Sequence, residues 1–148
     1  MPSQRMLQSK QKITQALQTL SDQVEVVAER AKITLWAVTL LGKLIYVAQA
    51  EGDEFVMLRA SFANPSEFTT AQALVFANAW NRKMPFFRAS VVDDSKLCLE
   101  FHLMINWIPQ TGGLEKVIGM FTAALLMFAK EMHKATRQSD DSQLRSLL

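Results

Sequence analysis

The sequence predicts an α+β fold in which five strands form an antiparallel sheet packed with helices, in the order α-β-β-β-α-β-β-α. Helical periodicity at both ends and short β-rich segments between them support this prediction. The connections among the first three of those segments are too short for parallel crossovers. At 148 residues, with 49% hydrophobic and 20% charged residues, the chain has the composition of one globular domain.

The first helix is predicted over residues 3–20, where Ile13, Leu17 and Leu20 share one face with Met6. Ser21 and Asp22 follow as helix-ending residues. Residues 24–30 fit an irregular strand and a frayed helix equally well, so both interpretations stay open.

Three strands are predicted next, at residues 33–40, 44–48 and 55–62. Short turn-forming segments separate them, which favours an antiparallel meander. In the first two strands apolar residues occupy both faces, since Trp36 and Val38 are interleaved with other apolar side chains. We therefore expect something beyond one layer of helices to cover the second face.

A second helix is predicted to begin at a cap formed by Ser66 or Thr69 and to end near Arg82. A hairpin of two strands follows, at residues 86–92 and 96–105, around a turn of polar residues. The second of these strands alternates apolar and polar residues most regularly.

The last helix is predicted over residues 114–134, with Gly112 and Gly113 at its start. One face is completely apolar, and Met120 and Met127 widen it to more than half of the circumference. A helix that is apolar nearly all round must be covered on two sides. This helix is therefore predicted to contribute to an interface.

Residues 1–134 are predicted to form a single α+β domain, and residues 135–148 a polar, flexible tail. The N-terminus lacks the apolar stretch of a secretory signal, and the longest apolar run is too short to span a bilayer. The single cysteine, Cys98, cannot form an internal disulfide. We therefore expect a cytoplasmic protein without membrane contact.

The charge of the chain is nearly balanced, with 16 basic and 14 acidic residues. A dedicated nucleic-acid binder normally carries a concentrated basic face, so nucleic acid is not the expected partner. The local excess at Arg5, Lys10 and Lys12 leaves open one alternative, in which the N-terminal helix contacts nucleic acid.

Catalytic and metal-binding patterns are absent from the sequence. His102 and His133 stand far apart without ligand-like spacing, and no glycine-rich phosphate loop is present. Cys98 is four residues from His102 on one predicted strand, too far for a nucleophile and its base. We expect no enzyme activity, no metal and no cofactor.

Trp80 and Asn81 near the end of the second helix are predicted to stabilise the fold, with Trp80 in the core and Asn81 bonded to backbone groups. Arg59 and Arg88 could pair with Glu100 if their strands are neighbours. An alternative in a different functional class is a small-ligand or catalytic pocket formed near Trp80 by Arg59, Arg88 and His102.

The apolar excess predicts an interface in which a two-fold homodimer or another protein covers the sheet and the last helix. Whether the excess of apolar residues serves a dimer or a different protein partner stays open. The candidate interface residues are Trp36, Val38, Ile45, Val47, Met120 and Met127.

Several short segments together resemble the YbjN-like family, whose members are described as bacterial sensory transduction regulators. The similarity covers roughly residues 33–132. Its main pieces are residues 77–82, which contain Trp80 and Asn81, residues 87–89 and 97–100, and the Gly112-Gly113 pair before the apolar helix.

This resemblance implies a fold like that of type III secretion chaperones, which are usually dimeric and bind extended protein segments without ATP. It implies no catalytic residues. We therefore expect a non-enzymatic, chaperone-like or regulatory module that binds a protein partner through an apolar sheet or helix surface, in bacterial signal transduction.

Overall fold

The computed structural model describes residues 4–30, 32–50, 55–63, 68–93, 96–104 and 113–147, with the backbone alone at residues 4–9, 30 and 138–147. Its helices and strands are α1 (Gln4–Leu20), β1 (Val24–Arg30), β2 (Ile33–Leu40), β3 (Lys43–Ala50), β4 (Phe55–Ala63), α2 (Thr70–Lys83), β5 (Arg88–Asp93), β6 (Lys96–Met104) and α3 (Gly113–Leu147). The α+β class and the order of the predicted elements are confirmed.

The strands form one six-stranded antiparallel sheet in the order β1-β2-β3-β4-β6-β5. The prediction of five strands was therefore wrong, and the additional strand is β1 at the edge, in the segment that the sequence left open. A β-bulge explains the ambiguity. Val26 pairs with Trp36 and Ala28 with Leu35, so the register shifts around Val27. The extra residue breaks the period of two by which a strand is recognised in a sequence.

Helix α3 begins at Gly113, as predicted, but continues beyond Lys134 to Leu147. No proline or glycine interrupts residues 120–147, so nothing in the local sequence stops helical hydrogen bonding there. Gly112 lies outside the described residues. The flexibility of residues 135–148 and the single domain over residues 1–134 stay predictions.

The chain consists of two compact units. Unit one comprises Met1–Ala60 and Glu100–Thr122, and unit two comprises Ser61–Leu99 and Ala123–Leu148. The boundaries fall inside β4, β6 and α3, so each unit contains a part of these three elements.

The core of unit one lies between α1 and one face of the sheet. Ile13, Ala16 and Leu17 recur at helical spacing and are buried, and the indole N–H of Trp36 donates to the Thr14 hydroxyl at 3.1 Å. The sheet contributes a row of buried residues from three adjacent strands, whose register places them on the same face: Trp36, Val38, Ile45, Val47, Val56, Leu58 and Ala60.

The core of unit two contains an aromatic cluster around Phe128 of α3. The ring centroids of Phe62, Phe76 and Trp80 lie 5.2, 5.3 and 5.0 Å from that of Phe128. Such tilted and edge-on contacts are favourable beyond the apolar area that they bury. Helix α2 begins at a capping box, in which the Thr69 hydroxyl accepts from the Gln72 amide and the Gln72 side chain accepts from the Thr69 amide.

The β2–β3 hairpin contains a local strain that a mutation can test. Its two-residue turn places Leu41 at φ 51° and Gly42 at φ 74°, the signature of a type I′ turn. Leu41 adopts the left-handed region, which is strained for a residue with a Cβ atom, and because it is strongly exposed no burial compensates for that strain.

Leu41→Asn is expected to stabilise the protein by about 1 kcal/mol, because asparagine tolerates the left-handed conformation better than leucine. Thermal unfolding followed by circular dichroism should show a midpoint about 2–4 °C higher. Gly42→Ala at the next position should have the opposite effect and lower the midpoint. A Cβ there meets no atom within 4 Å, so the loss of stability would come from backbone strain alone. A lower midpoint for Leu41→Asn would contradict the turn assignment.

Candidate functional site

Four of the six predicted interface residues belong to the core of unit one. Trp36, Val38, Ile45 and Val47 are each at most 1% exposed. They lie on the face of the sheet that α1 covers, where Trp36 bonds to Thr14. In this conformation they offer no surface to a partner, because the chain itself supplies their cover.

The two methionines of the predicted interface have a different environment. Met120 in unit one and Met127 in unit two are 62% and 45% exposed. Each therefore remains available for contact with another molecule, and their role in an interface stays a prediction.

The opposite face of the sheet in unit one is an apolar surface that is partly exposed to solvent. The register aligns Leu35, Ala48 and Met57 across β2, β3 and β4, on the side away from Trp36, Val47 and Leu58. We call the apolar side chains on this side the outer face: Ile33, Leu35, Ala37, Leu44, Tyr46, Ala48, Phe55 and Met57.

Exposure varies across the outer face. Leu35, Tyr46 and Met57 at its centre are half-buried by their neighbours on adjacent strands. At its margins Ile33, Leu44 and Phe55 are 53%, 43% and 46% exposed. A contiguous group of exposed large apolar side chains on one face is typical of a binding surface, whereas scattered ones are not.

A charged cluster borders the outer face where β4 meets β6. Arg59 stands opposite Tyr46 in the register, and its Nε lies 3.4 Å from a carboxylate oxygen of Glu100. His102 Nε2 lies 3.6 Å from the other oxygen of the same carboxylate. The predicted pairing of Arg59 with Glu100 is thus confirmed. The cluster gives the apolar face a polar rim, the usual arrangement at a protein interface.

The Trp80-Asn81 pair holds the end of α2 to the start of β5. The indole N–H of Trp80 donates to the Phe87 carbonyl at 2.8 Å. Asn81 makes two hydrogen bonds with one residue, donating to the Ala89 carbonyl at 2.9 Å and accepting from the Ala89 amide at 2.7 Å. Since Ala89 is buried, these bonds satisfy backbone groups that water cannot reach. The geometry supports the predicted structural role of both side chains.

The residues of the predicted small-ligand pocket fall in separate units. Arg59 and His102 belong to unit one, and Trp80 and Arg88 to unit two. Arg88 is exposed, whereas Trp80 lines a small cavity in unit two together with Lys83 and Lys134. The sequence did not indicate these lysines, because α2 and α3 are distant in the chain and nothing local connects them.

Potential catalytic groups remain dispersed in the described part of the chain. It contains no cluster of three or more His, Cys, Asp or Glu residues that could hold a metal ion. Cys98 is fully buried, with its Sγ 3.2 Å from the Ser61 hydroxyl. Such a cysteine behaves as a small core residue.

In the N-terminal basic segment, the Lys10 Nζ lies 3.4 Å from Glu29 of β1, so this cation has an internal partner. Lys12 is exposed, and the Arg5 side chain lies outside the described residues. Within the described ranges, no helix is both long and apolar enough to cross a membrane.

Fold and surface together define a small α+β protein whose most prominent candidate site is an apolar sheet face with a charged rim. The model of the YbjN family, described as "Putative bacterial sensory transduction regulator", matches residues 9–134. The chain belongs to this family, as its resemblance to YbjN-like sequences led us to expect. Among curated proteins no significant match is found.

Asn81→Ala should cost about 2 kcal/mol of stability, because it leaves the Ala89 amide and carbonyl unpaired in a buried position. Chemical denaturation of purified protein measures this loss. Asn78→Ala is the matched control, because Asn78 is exposed one turn earlier on the same helix. An equal effect of the two substitutions would refute the structural role of Asn81.

Proposed function

We propose that the protein is a non-enzymatic regulatory module that acts by binding another protein on its outer face. Support comes from one observation above all: Ile33, Leu44 and Phe55 remain exposed beside half-buried apolar neighbours. The family description as a sensory transduction regulator is consistent with such a role. Binding of an extended, chaperone-type client segment is the form of recognition that we favour.

The chemistry of the outer face suggests how a partner is recognised. Apolar side chains of the partner would lie on Leu35, Tyr46 and Met57, which removes more apolar surface from water. Charged or polar groups of the partner would meet Arg59 and Glu100 at the rim, where they set orientation more than affinity. This arrangement needs no nucleotide or metal.

A second copy of the chain is the simplest partner to consider. In a two-fold dimer, each copy presents the same patch, so one apolar surface is covered by itself. We propose the homodimer as one form of the protein, with binding of a different protein as the alternative.

The presence of a single, buried cysteine is compatible with the cytoplasmic location that we propose.

Met57→Lys is expected to weaken partner binding by about 30-fold or more, because a charge at the centre of an apolar interface removes a hot-spot contact. Light scattering over a concentration series tests the homodimer. Binding of a different protein is tested by affinity capture with protein identification, followed by calorimetry with the recombinant partner. The melting temperature of the variant should stay close to that of the wild type.

Val75→Lys is the matched control, because Val75 is an exposed apolar residue of α2 in unit two. It should bind the partner like the wild type. If Met57→Lys binds normally while Met120→Lys or Met127→Lys does not, the contact lies on α3 and the outer-face proposal is wrong.

A further inference from the structure

A cavity of about 220 Å³ in unit two has a composition that the proposed protein-binding role does not use. It is lined by both α2 and α3. Its apolar part consists of Phe76 and Trp80 with two alanines, and its charged groups are Lys83, Glu131 and Lys134. All of these residues belong to unit two.

The two aromatic side chains of the cavity wall are packed against Phe128 and present no free hydrogen-bond donor. Trp80 is 3% exposed, and its only donor, the indole N–H, is bonded to the Phe87 carbonyl. Phe76 and Trp80 are both held edge-on against Phe128. A ligand on this wall would therefore meet aromatic and alanine surface without a free hydrogen-bond donor from Trp80.

The charged groups of the cavity leave one positive charge in excess. Lys83 Nζ lies 3.9 Å from a Glu131 carboxylate oxygen, and these side chains are 69% and 36% exposed, so the pair is weak. For the Lys134 ammonium, the described residues provide neither a hydrogen-bond acceptor nor an ion-pair partner. The cavity is thus lined by two ammonium groups and one carboxylate, and only Lys83 is paired with that carboxylate.

We propose that this cavity binds a small monocarboxylate whose body is a single aromatic ring or a branched apolar group. The body would contact Phe76 and Trp80, and the carboxylate would lie between Lys83 and Lys134. The lysines disfavour a cationic ligand. The volume lies below the roughly 300–1,000 Å³ of pockets for larger ligands, which argues against a nucleotide.

Two sources could supply this chemistry: a free carboxylic acid, or the carboxyl end of a protein chain that terminates in an apolar residue. Both present one carboxylate beside one apolar group. A free acid would make the cavity a sensor site, whereas a chain end would make it a second contact for a protein.

The test uses 4-fluorophenylacetate and its neutral amide as probes, with binding to the full-length protein followed by fluorine NMR. We expect the acid to bind with a Kd of about 1 mM or tighter, and the amide at least about tenfold more weakly, because only the acid pairs with the ammonium groups.

Lys134→Met should weaken binding of the acid about tenfold while keeping the aliphatic stem of the side chain. Lys130→Met is the matched control: Lys130 is exposed on the same helix, one turn earlier, and does not line the cavity. Glu131→Gln should instead tighten binding about threefold, since it removes the competing carboxylate. A variant that merely damages the fold could not produce that gain.

Three results would each overturn the proposal. They are equal binding of acid and amide, equal losses of affinity in Lys134→Met and Lys130→Met, and no binding of the acid at about 10 mM.

N-acetyl-Ala-Phe with a free or an amidated C-terminus distinguishes the two sources of the carboxylate. Tighter binding of the free-carboxyl peptide than of 4-fluorophenylacetate assigns the site to chain ends, and the reverse order assigns it to a free acid. All variants lie in unit two, so the result is independent of the outer face in unit one.

Discussion

The structure of unit one depends on a single constraint: its sheet is apolar on both faces, and α1 covers only one of them. Burial of Ile13 and Leu17 against the face that carries Trp36 and Val47 removes large apolar side chains from water. The Trp36–Thr14 hydrogen bond fixes which part of the helix lies over the indole. The opposite face retains Leu44, Phe55 and other exposed apolar residues, and a protein partner would lower their free energy by covering them.

The charged rim and the apolar centre of the outer face have different physical roles. Arg59 and Glu100 are only partly exposed, so their pairing is less screened than that of a fully solvated ion pair. In the proposed complex, charges at the edge would discriminate between partners and orient them, while Leu35, Tyr46 and Met57 would supply surface for desolvation. This division of roles suits a regulatory module, which must select its partner as well as bind it.

The sequence predicted the elements well because their signals are local. Trp80 and Asn81 could be assigned structural roles from helical spacing and side-chain chemistry, and Thr69 was one of two predicted caps. Strand β1 could not be assigned, because the bulge around Val27 shifts its alternation. The end of α3 was missed because polar composition was taken as the end of a helix, although no helix-breaking residue follows Gly119.

The site was predicted only in outline. The two apolar faces led us to expect a second cover, which stays a prediction, and alternation alone does not tell which face receives the helix. Trp36 and Val47 were therefore assigned to the interface, whereas the register and α1 place them in the core. Lys83 and Lys134 were missed for a related reason: their proximity to Trp80 depends on how α2 packs against α3.

Hydroxyl-radical footprinting of Tyr46 and Met57 tests the central claim most directly, because both side chains are reactive and lie at the centre of the outer face. In the purified protein, diluted until it is monomeric, both should be oxidised readily, and in the complex with its partner both should be protected. Val75 should react equally in the two states, since it lies on α2. Protection of Tyr46 and Met57 already in the monomer, or unchanged oxidation in the complex, would contradict the account.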